Sequence, residues 1–302
     1  REFAPQGWND VGSFAGALDW QLDFFGKNRA LLAAATSSAE AARAEAAAAR
    51  LALSAAVASA YGNLAKLHSD RDAASDAVRV RAESEVLIAS RAAHGLETEA
   101  ALERARSGRA AAEAQLEAVD EAIGLTRNAI AALLGQGPDR GLAIDPPRQE
   151  GICAAGLPAT LQADLLGRRP DVVAARLMAE AARLRVKAAK ADFYPNVNLT
   201  AVIGEQSLSV DKLVKSGSMF GAIGPAVSLP IFSAGRIEGA YRGAFADYEA
   251  AVANYDAAVA RAFREVADSA VSAKALGARL GKSREALAAA ERAHGLMRLR
   301  YD

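Results

Sequence analysis

Phe14-Ala15-Gly16-Ala17-Leu18-Asp19-Trp20-Gln21-Leu22-Asp23-Phe24 alternates along its length, and Phe25-Gly26-Lys27 then leads straight into a long alanine-rich stretch. A period of two places Phe14, Gly16, Leu18, Trp20, Leu22 and Phe24 on one face of a strand and Ala15, Ala17, Asp19, Gln21 and Asp23 on the other. The arrangement recurs. At a shift of 209 residues Gly26 falls on Gly235, Val57-Ala58 on Val266-Ala267, Leu87 on Leu296 and Arg91 on Arg300. The second copy, Met219 to Phe232, sets Ile223, Val227, Leu229 and Ile231 against Ala222, Gly224, Ala226 and Ser228. It too ends in a glycine-basic turn, Gly235-Arg236, before an alanine-rich helix. Alanine coincidences carry no weight in such a chain. The Gly, Val, Leu and Arg matches and the shared strand-to-helix boundary predict an internal duplication, with junctions marked by Gly26, Pro230, Gly235 and Arg236.

A third alternating run, Pro195 to Gly204, sets Val197, Leu199, Ala201 and Ile203 against Asn196, Asn198, Thr200 and Val202. Runs of about ten residues match a tilted strand crossing a bilayer, although alternation alone fits a half-buried soluble sheet equally well. The helices decide against a small soluble sheet. Each is predicted at roughly 60 residues, about 90 Å at about 1.5 Å per residue. Ser216 to Gly235 carries no charge and mimics a membrane helix, but Pro225, Pro230 and the glycines at 217, 221, 224 and 235 would break one.

After Gly235, large residues fall at Tyr241, Phe245, Tyr248, Val252, Tyr255, Val259, Phe263 and Val266, a heptad-like seam. The copy from Lys27 to about Ala92 carries mostly alanine at equivalent places, which favours close helix approach. A helix from about Glu97 to Leu134 shows Leu116, Val119, Ile123, Ile130 and Leu133 in similar spacing, with His94-Gly95 as the turn before it. Gly135 to Leu161 is rich in glycine and proline and reads as a connector. Helix resumes at Pro170, with Asp171 at its positive end and Arg183, Arg185, Lys187 and Lys190 towards its negative end.

Composition narrows the function. Much of the 52% hydrophobic content is alanine, which suits long packed helices more than a thick core. The 36 basic and 36 acidic residues cancel, removing the net basic face that a nucleic-acid partner requires. Cys153 stands alone, and His68, His94 and His294 are too scattered to form a metal site. Gly281-Lys282-Ser283 fails as a phosphate loop because Gly277 is one residue too close and no strand precedes it. No nucleophile, base and orienting group converge in any motif, so neither an enzyme nor a cofactor is expected.

Leu165-Leu166-Gly167-Arg168-Arg169-Pro170-Asp171-Val172, then Phe193-Tyr194-Pro195, then Leu229-Pro230-Ile231-Phe232-Ser233-Ala234-Gly235-Arg236, in that order, resemble the TolC-type outer-membrane efflux family. The likeness runs over essentially the whole chain and is narrower still to the OprM/NodT-like lipoprotein branch. It implies an α+β membrane protein in which long helical hairpins form a periplasmic α-barrel and transmembrane strands join a shared barrel in a homotrimer. It also implies a passive exit duct of a tripartite efflux system in the Gram-negative outer membrane. The partners would be membrane lipid, a periplasmic adaptor and an inner-membrane pump of the resistance-nodulation-division type.

Under this resemblance residues 1–26 are an extracellular loop and transmembrane strand, and 27–135 a helical hairpin with its tip near 91–98. Residues 136–168 are a connector, 169–194 a helix, 195–232 two transmembrane strands around an extracellular loop at 205–218, and 233–302 a helix reaching a second tip. Arg91, His94, Gly95, Leu96 and Thr98, with Arg300, Tyr301 and Asp302, become adaptor-docking candidates. Asp19, Gln21 and Asp23 become lumen-facing. Further segments are expected outside residues 1–302, among them a lipidated N-terminal cysteine, a fourth strand and gating carboxylates beyond Asp302. A soluble coiled-coil structural or adaptor-like protein is the alternative, and it would pack the apolar strand faces against helix.

Overall fold

The computed structural model describes residues 10–147, 167–208, 213 and 217–301, with side chains as far as 297. Cys153, Asp302, Leu165, Leu166 and the connector from 148 to 166 lie outside the described residues. The chain forms two compact units, Arg1–Ala46 with Thr160–Asp302 and Ala47–Ala159.

The first unit holds an antiparallel sheet of three strands in the order β1 (Gly12–Leu22), β2 (Asn196–Ser207) and β3 (Met219–Ser228). The register sets Trp20 opposite Leu199 and Leu18 opposite Ala201, while Ala201 faces Ile223 and Val197 faces Val227. Three alternating patterns thereby fuse into one apolar face. The opposite face aligns Asp19 with Thr200 and Gly224, and Gln21 with Asn198 and Ala226.

Strand ends differ from those read off the alternation. β1 runs from Gly12 to Leu22, and β2 continues past Gly204 to Ser207, because Gly12, Ser13 and Phe14 offer partners to Ser207, Gln206 and Glu205. The loop expected from 205 therefore begins later. β3 stops at Ser228, so Leu229 and Ile231 leave the sheet, and the Ile231 N–H turns back to the Leu229 carbonyl at 3.0 Å. Pro230 has no N–H to extend a ladder, whereas Pro225 is tolerated because β3 is an edge strand among the described strands.

Helix α1 (Lys27–Ala93) follows β1 and belongs to both units; α2 (Glu99–Leu133) and the short α3 (Pro138–Leu142) belong to the second. α3 is a helical turn inside what the sequence marked as irregular connector, started by Pro138 at its first position. In the second unit Leu64 of α1 is fully buried against Val119, Ile123 and Ile130 of α2, with Ile144 packed on the cluster. Arg71 of α1 meets Asp120 of α2 at 2.6 Å, and Glu85 of α1 meets Arg109 of α2 at 2.8 Å.

Beside this core lies His68, whose Nε2 is buried without a partner, as is Nε of Arg127. Burial and the Arg127 cation hold the His68 imidazole below the ordinary histidine range, with Arg71 adding to them and Asp72 and Asp120 opposing. A lowered folded value means the contribution is full above the unfolded pKa of about 6.5 and is lost as pH falls through the folded one. Hydrogen exchange in this hairpin should therefore accelerate beyond the intrinsic rate change as pH falls below about 6.5, and His68→Gln should flatten that slope. An identical slope in the variant would reject the assignment.

In the first unit α4 (Pro170–Ala191) packs on α5 (Arg236–Tyr301). Their buried positions are largely small, Ala181, Ala182 and Ala188 on α4 and Ala258 and Ala262 on α5. The start of α1 buries Ala30, Ala34, Ser37 and Ala41, spaced 4, 3 and 4. Such a seam lets helix axes approach closely, which is what the alanine content predicts. Of the four basic residues read near the end of α4, only Lys190 lies in its last turn. Arg185 instead reaches the Ser38 hydroxyl at 3.0 Å. No described helix is long and apolar enough to cross a membrane.

Candidate functional site

The sheet is the first feature with functional geometry. Phe14, Leu18, Trp20, Ile203, Ile223 and Val227 share its apolar face, and each is at least 60% exposed. That is the reverse of a face packed on helix. The opposite face is tied by polar contacts: Gln21 donates to the Asn196 side-chain amide oxygen, Oδ1, at 2.8 Å, and Asn198 donates to the Asp19 carboxylate at 3.3 Å.

The strand-to-helix junctions come next. Gly26 and Gly235, 209 positions apart, both adopt the left-handed region with φ of 75° and 80°, and each carbonyl accepts the first helical N–H, from Ala30 and Gly239. The duplication seen in the residues is thus repeated in the backbone. Asp23 does not continue the polar strand face; it caps α1, accepting the N–H groups of Asn28 and Arg29 at 3.0 and 2.9 Å. Lys27 pairs with Asp192, Phe25 stacks on Tyr194 at 4.8 Å, and Phe193 meets Tyr241 edge-on at 6.0 Å. The Lys27–Asp192 and Phe25–Tyr194 contacts border an open cavity of about 260 Å³ that Gln21, Asn196, Pro230 and Arg236 also line.

The motif at Gly167-Arg168-Arg169-Pro170-Asp171 resolves into a clamp that the sequence alone leaves invisible. The Arg169 guanidinium donates to both Asp171 oxygens, at 3.1 and 2.8 Å, and to Glu265 of α5 at 2.7 Å. Asp171 also accepts the Val172 N–H at 3.0 Å. The Arg169 guanidinium holds the Asp171 carboxyl below the usual carboxylate range. Sequence reading assigned Asp171 to the helix dipole and missed Glu265, 96 residues from Arg169, because nothing local announces so distant a partner.

The second unit presents a turn. The Leu96 N–H reaches the Arg91 carbonyl at 2.8 Å and the Gly95 N–H the Ala92 carbonyl at 2.9 Å, with Gly95 at φ 71°. This is a Schellman cap, which needs the left-handed residue that glycine supplies. Thr98 then caps α2 by accepting the Ala101 N–H at 3.2 Å, and His94 Nδ1 donates to the Ser90 carbonyl at 2.7 Å. Arg91, His94, Gly95, Leu96 and Thr98 are thereby brought together on one exposed turn. Arg300 and Tyr301, read as the start of the equivalent turn in the second repeat, are helical within α5. Among the described residues no group of His, Cys, Asp and Glu could hold a metal ion.

The family described as outer membrane efflux protein matches residues 7–136 and 161–302. The fusaric acid resistance protein FusA of Burkholderia cepacia is 38% identical over 232 residues, covering 76% of this chain and 43% of that protein. The multidrug resistance outer membrane protein MdtP of Escherichia coli is 35% identical over 267 residues, covering 85% and 52%. The crystal structure of the outer membrane protein VceC of Vibrio cholerae superposes with a TM-score of 0.87 at 43% identity, covering 95% of this chain and 68% of that one. The chain spans about half the length of these curated relatives.

Proposed function

We propose a function from the premise that this chain belongs to the outer membrane efflux protein family: it is part of the exit duct of a tripartite efflux system. The observation that carries the proposal is the sheet, whose apolar face is exposed and whose other face bears Asp19, Gln21, Asn198 and Thr200. In lipid every strand edge must be paired, so such a sheet becomes stable there by closing with further strands into a barrel. A homotrimer supplies them, with the apolar face towards lipid and the polar face towards a wet lumen. The duct is passive; an inner-membrane pump supplies energy through a periplasmic adaptor.

Density-gradient fractionation of the full-length protein, followed by an unheated gel, tests this. A heat-sensitive trimer in the outer-membrane fraction is the expected outcome. A soluble monomer would refute the duct and favour a coiled-coil structural protein.

The turn from Arg91 to Thr98 is the adaptor-docking element in this proposal, with Arg300 and Tyr301 of α5 and the neighbouring Asp302 as its counterpart in the second repeat. Support comes from its exposure, from the fixed path that Gly95 and Thr98 impose, and from Leu96 projecting an apolar side chain into solvent. Gly95→Val places a β-branched residue in the left-handed region, which costs about 1–2 kcal/mol and reshapes the turn. The trimer should persist while cells relying on this channel become more drug-sensitive. Unchanged susceptibility would remove the turn from the docking surface.

A further inference from the structure

The three strands carry only two charged residues, and these face opposite ways. Glu205 lies on the apolar face, between Phe14 and Met219 in the register. Asp19 lies on the polar face, opposite Thr200, which is in turn opposite Gly224, so its immediate cross-strand neighbours are small. The carboxylate is exposed and is held by Asn198, a neutral amide that orients the charge without cancelling it. Among the described residues no Lys, Arg or His pairs with Asp19, and none stands on the strands.

We propose that Asp19 is a permeation-determining residue that makes the barrel lumen favour cationic solutes over anionic ones. The proposal rests on the lumen assignment above. In a symmetric assembly each copy sets its Asp19 at the same height, and the three described strands bring no basic residue against that ring. Rings of carboxylates select cations in this way, and low-dielectric walls focus their field into the water between them. Screening bounds the effect: the Debye length is about 10 Å in 0.1 M salt and about 30 Å in 0.01 M. In a barrel lumen the preference should therefore be marked in dilute salt and fade in concentrated salt. Solutes carrying an amine would be enriched near the wall and carboxylates depleted.

The test is the reversal potential of the full-length assembled channel in a planar bilayer under a dilute potassium chloride gradient. Wild type should shift towards the potassium equilibrium potential, and Asp19→Asn should lower the cation-to-anion permeability ratio by about two-fold or more at about 0.01 M, where screening is weakest. Glu205→Gln, altered on the opposite face, should leave the ratio unchanged. An Asp19→Asn channel of normal conductance with an unshifted reversal potential would overturn the proposal. A second variant separates this from failure of the lumen assignment. Asp19→Cys, with the chain's own thiol removed by Cys153→Ala, should react with a membrane-impermeant methanethiosulfonate added to the aqueous phase. Complete protection in an assembled trimer would reject the lumen assignment itself.

Discussion

Gly204→Val is expected to abolish assembly of the membrane-inserted oligomer. Gly204 sits within β2 opposite Ala15 of β1, and the strands approach closely there. A Cβ at this position would lie 2.5 Å from the Phe14 carbonyl oxygen, 2.6 Å from Ala15 Cβ and 2.8 Å from Ala15 Cα. None of these is the mobile end of a flexible side chain, so no rotamer change relieves the clash. The strands must part, and each ladder bond lost in water costs about 0.5–1.5 kcal/mol. The cost per unpaired group rises to several kcal/mol in lipid, where no solvent replaces the partner. On an unheated gel the variant should show no trimer band and should accumulate as aggregate or proteolysed monomer. Gly16→Ala, with its nearest neighbour at 3.9 Å, and Gly224→Ala, with nothing within 4 Å, should assemble as wild type. Normal trimer yield from Gly204→Val would mean that β1 and β2 do not pair in this register.

Leu64→Ala is expected to loosen the helical hairpin of the second unit by about 2–5 kcal/mol, the range for truncating a fully buried leucine. Leu64 is completely buried with Val119, Ile123 and Ile130, whereas Leu67 of the same segment of α1 packs on the cluster only partly buried. The surrounding alanines cannot swing in to fill the cavity. Hydrogen exchange at amides of α1 and α2 around this cluster should quicken by about 30-fold or more, since each 1.4 kcal/mol is a factor of about ten. Leu64→Met nearly conserves volume and should cost less than about 1.5 kcal/mol. Protection unchanged by the alanine substitution would show that the hairpin is held by contacts other than this core.

Both predictions concern positions that residue identity alone does not single out. Gly204 ends an alternating run and reads as the last residue of its strand; only pairing with Gly12, Ser13 and Phe14 carries β2 on to Ser207 and turns Gly204 into an interior residue. Leu64 resembles Leu51, Leu53 and Leu87 in an alanine-rich helix, yet those three are exposed within this chain and Leu64 is not. Likewise Asp23 continues the polar side of an alternating strand in the residues, but in three dimensions it turns to cap α1.

What the residues determine by themselves is local geometry and its repetition. A period of two sets opposite faces on a strand, a heptad-like period draws a seam along a helix, and glycine before a basic residue marks each strand-to-helix turn. These are properties of a few consecutive side chains, so the strand faces, the long helices, the duplication and the turn at Gly95 were legible from the chain. The tertiary structure decided whatever needs a partner from elsewhere. It set the order and ends of the strands, the choice of Leu64 over its neighbours, the Lys27–Asp192 junction and the Arg169–Glu265 clamp. Backbone groups and charges are satisfied by whichever atoms arrive in space, and that arrival depends on contacts far apart along the chain.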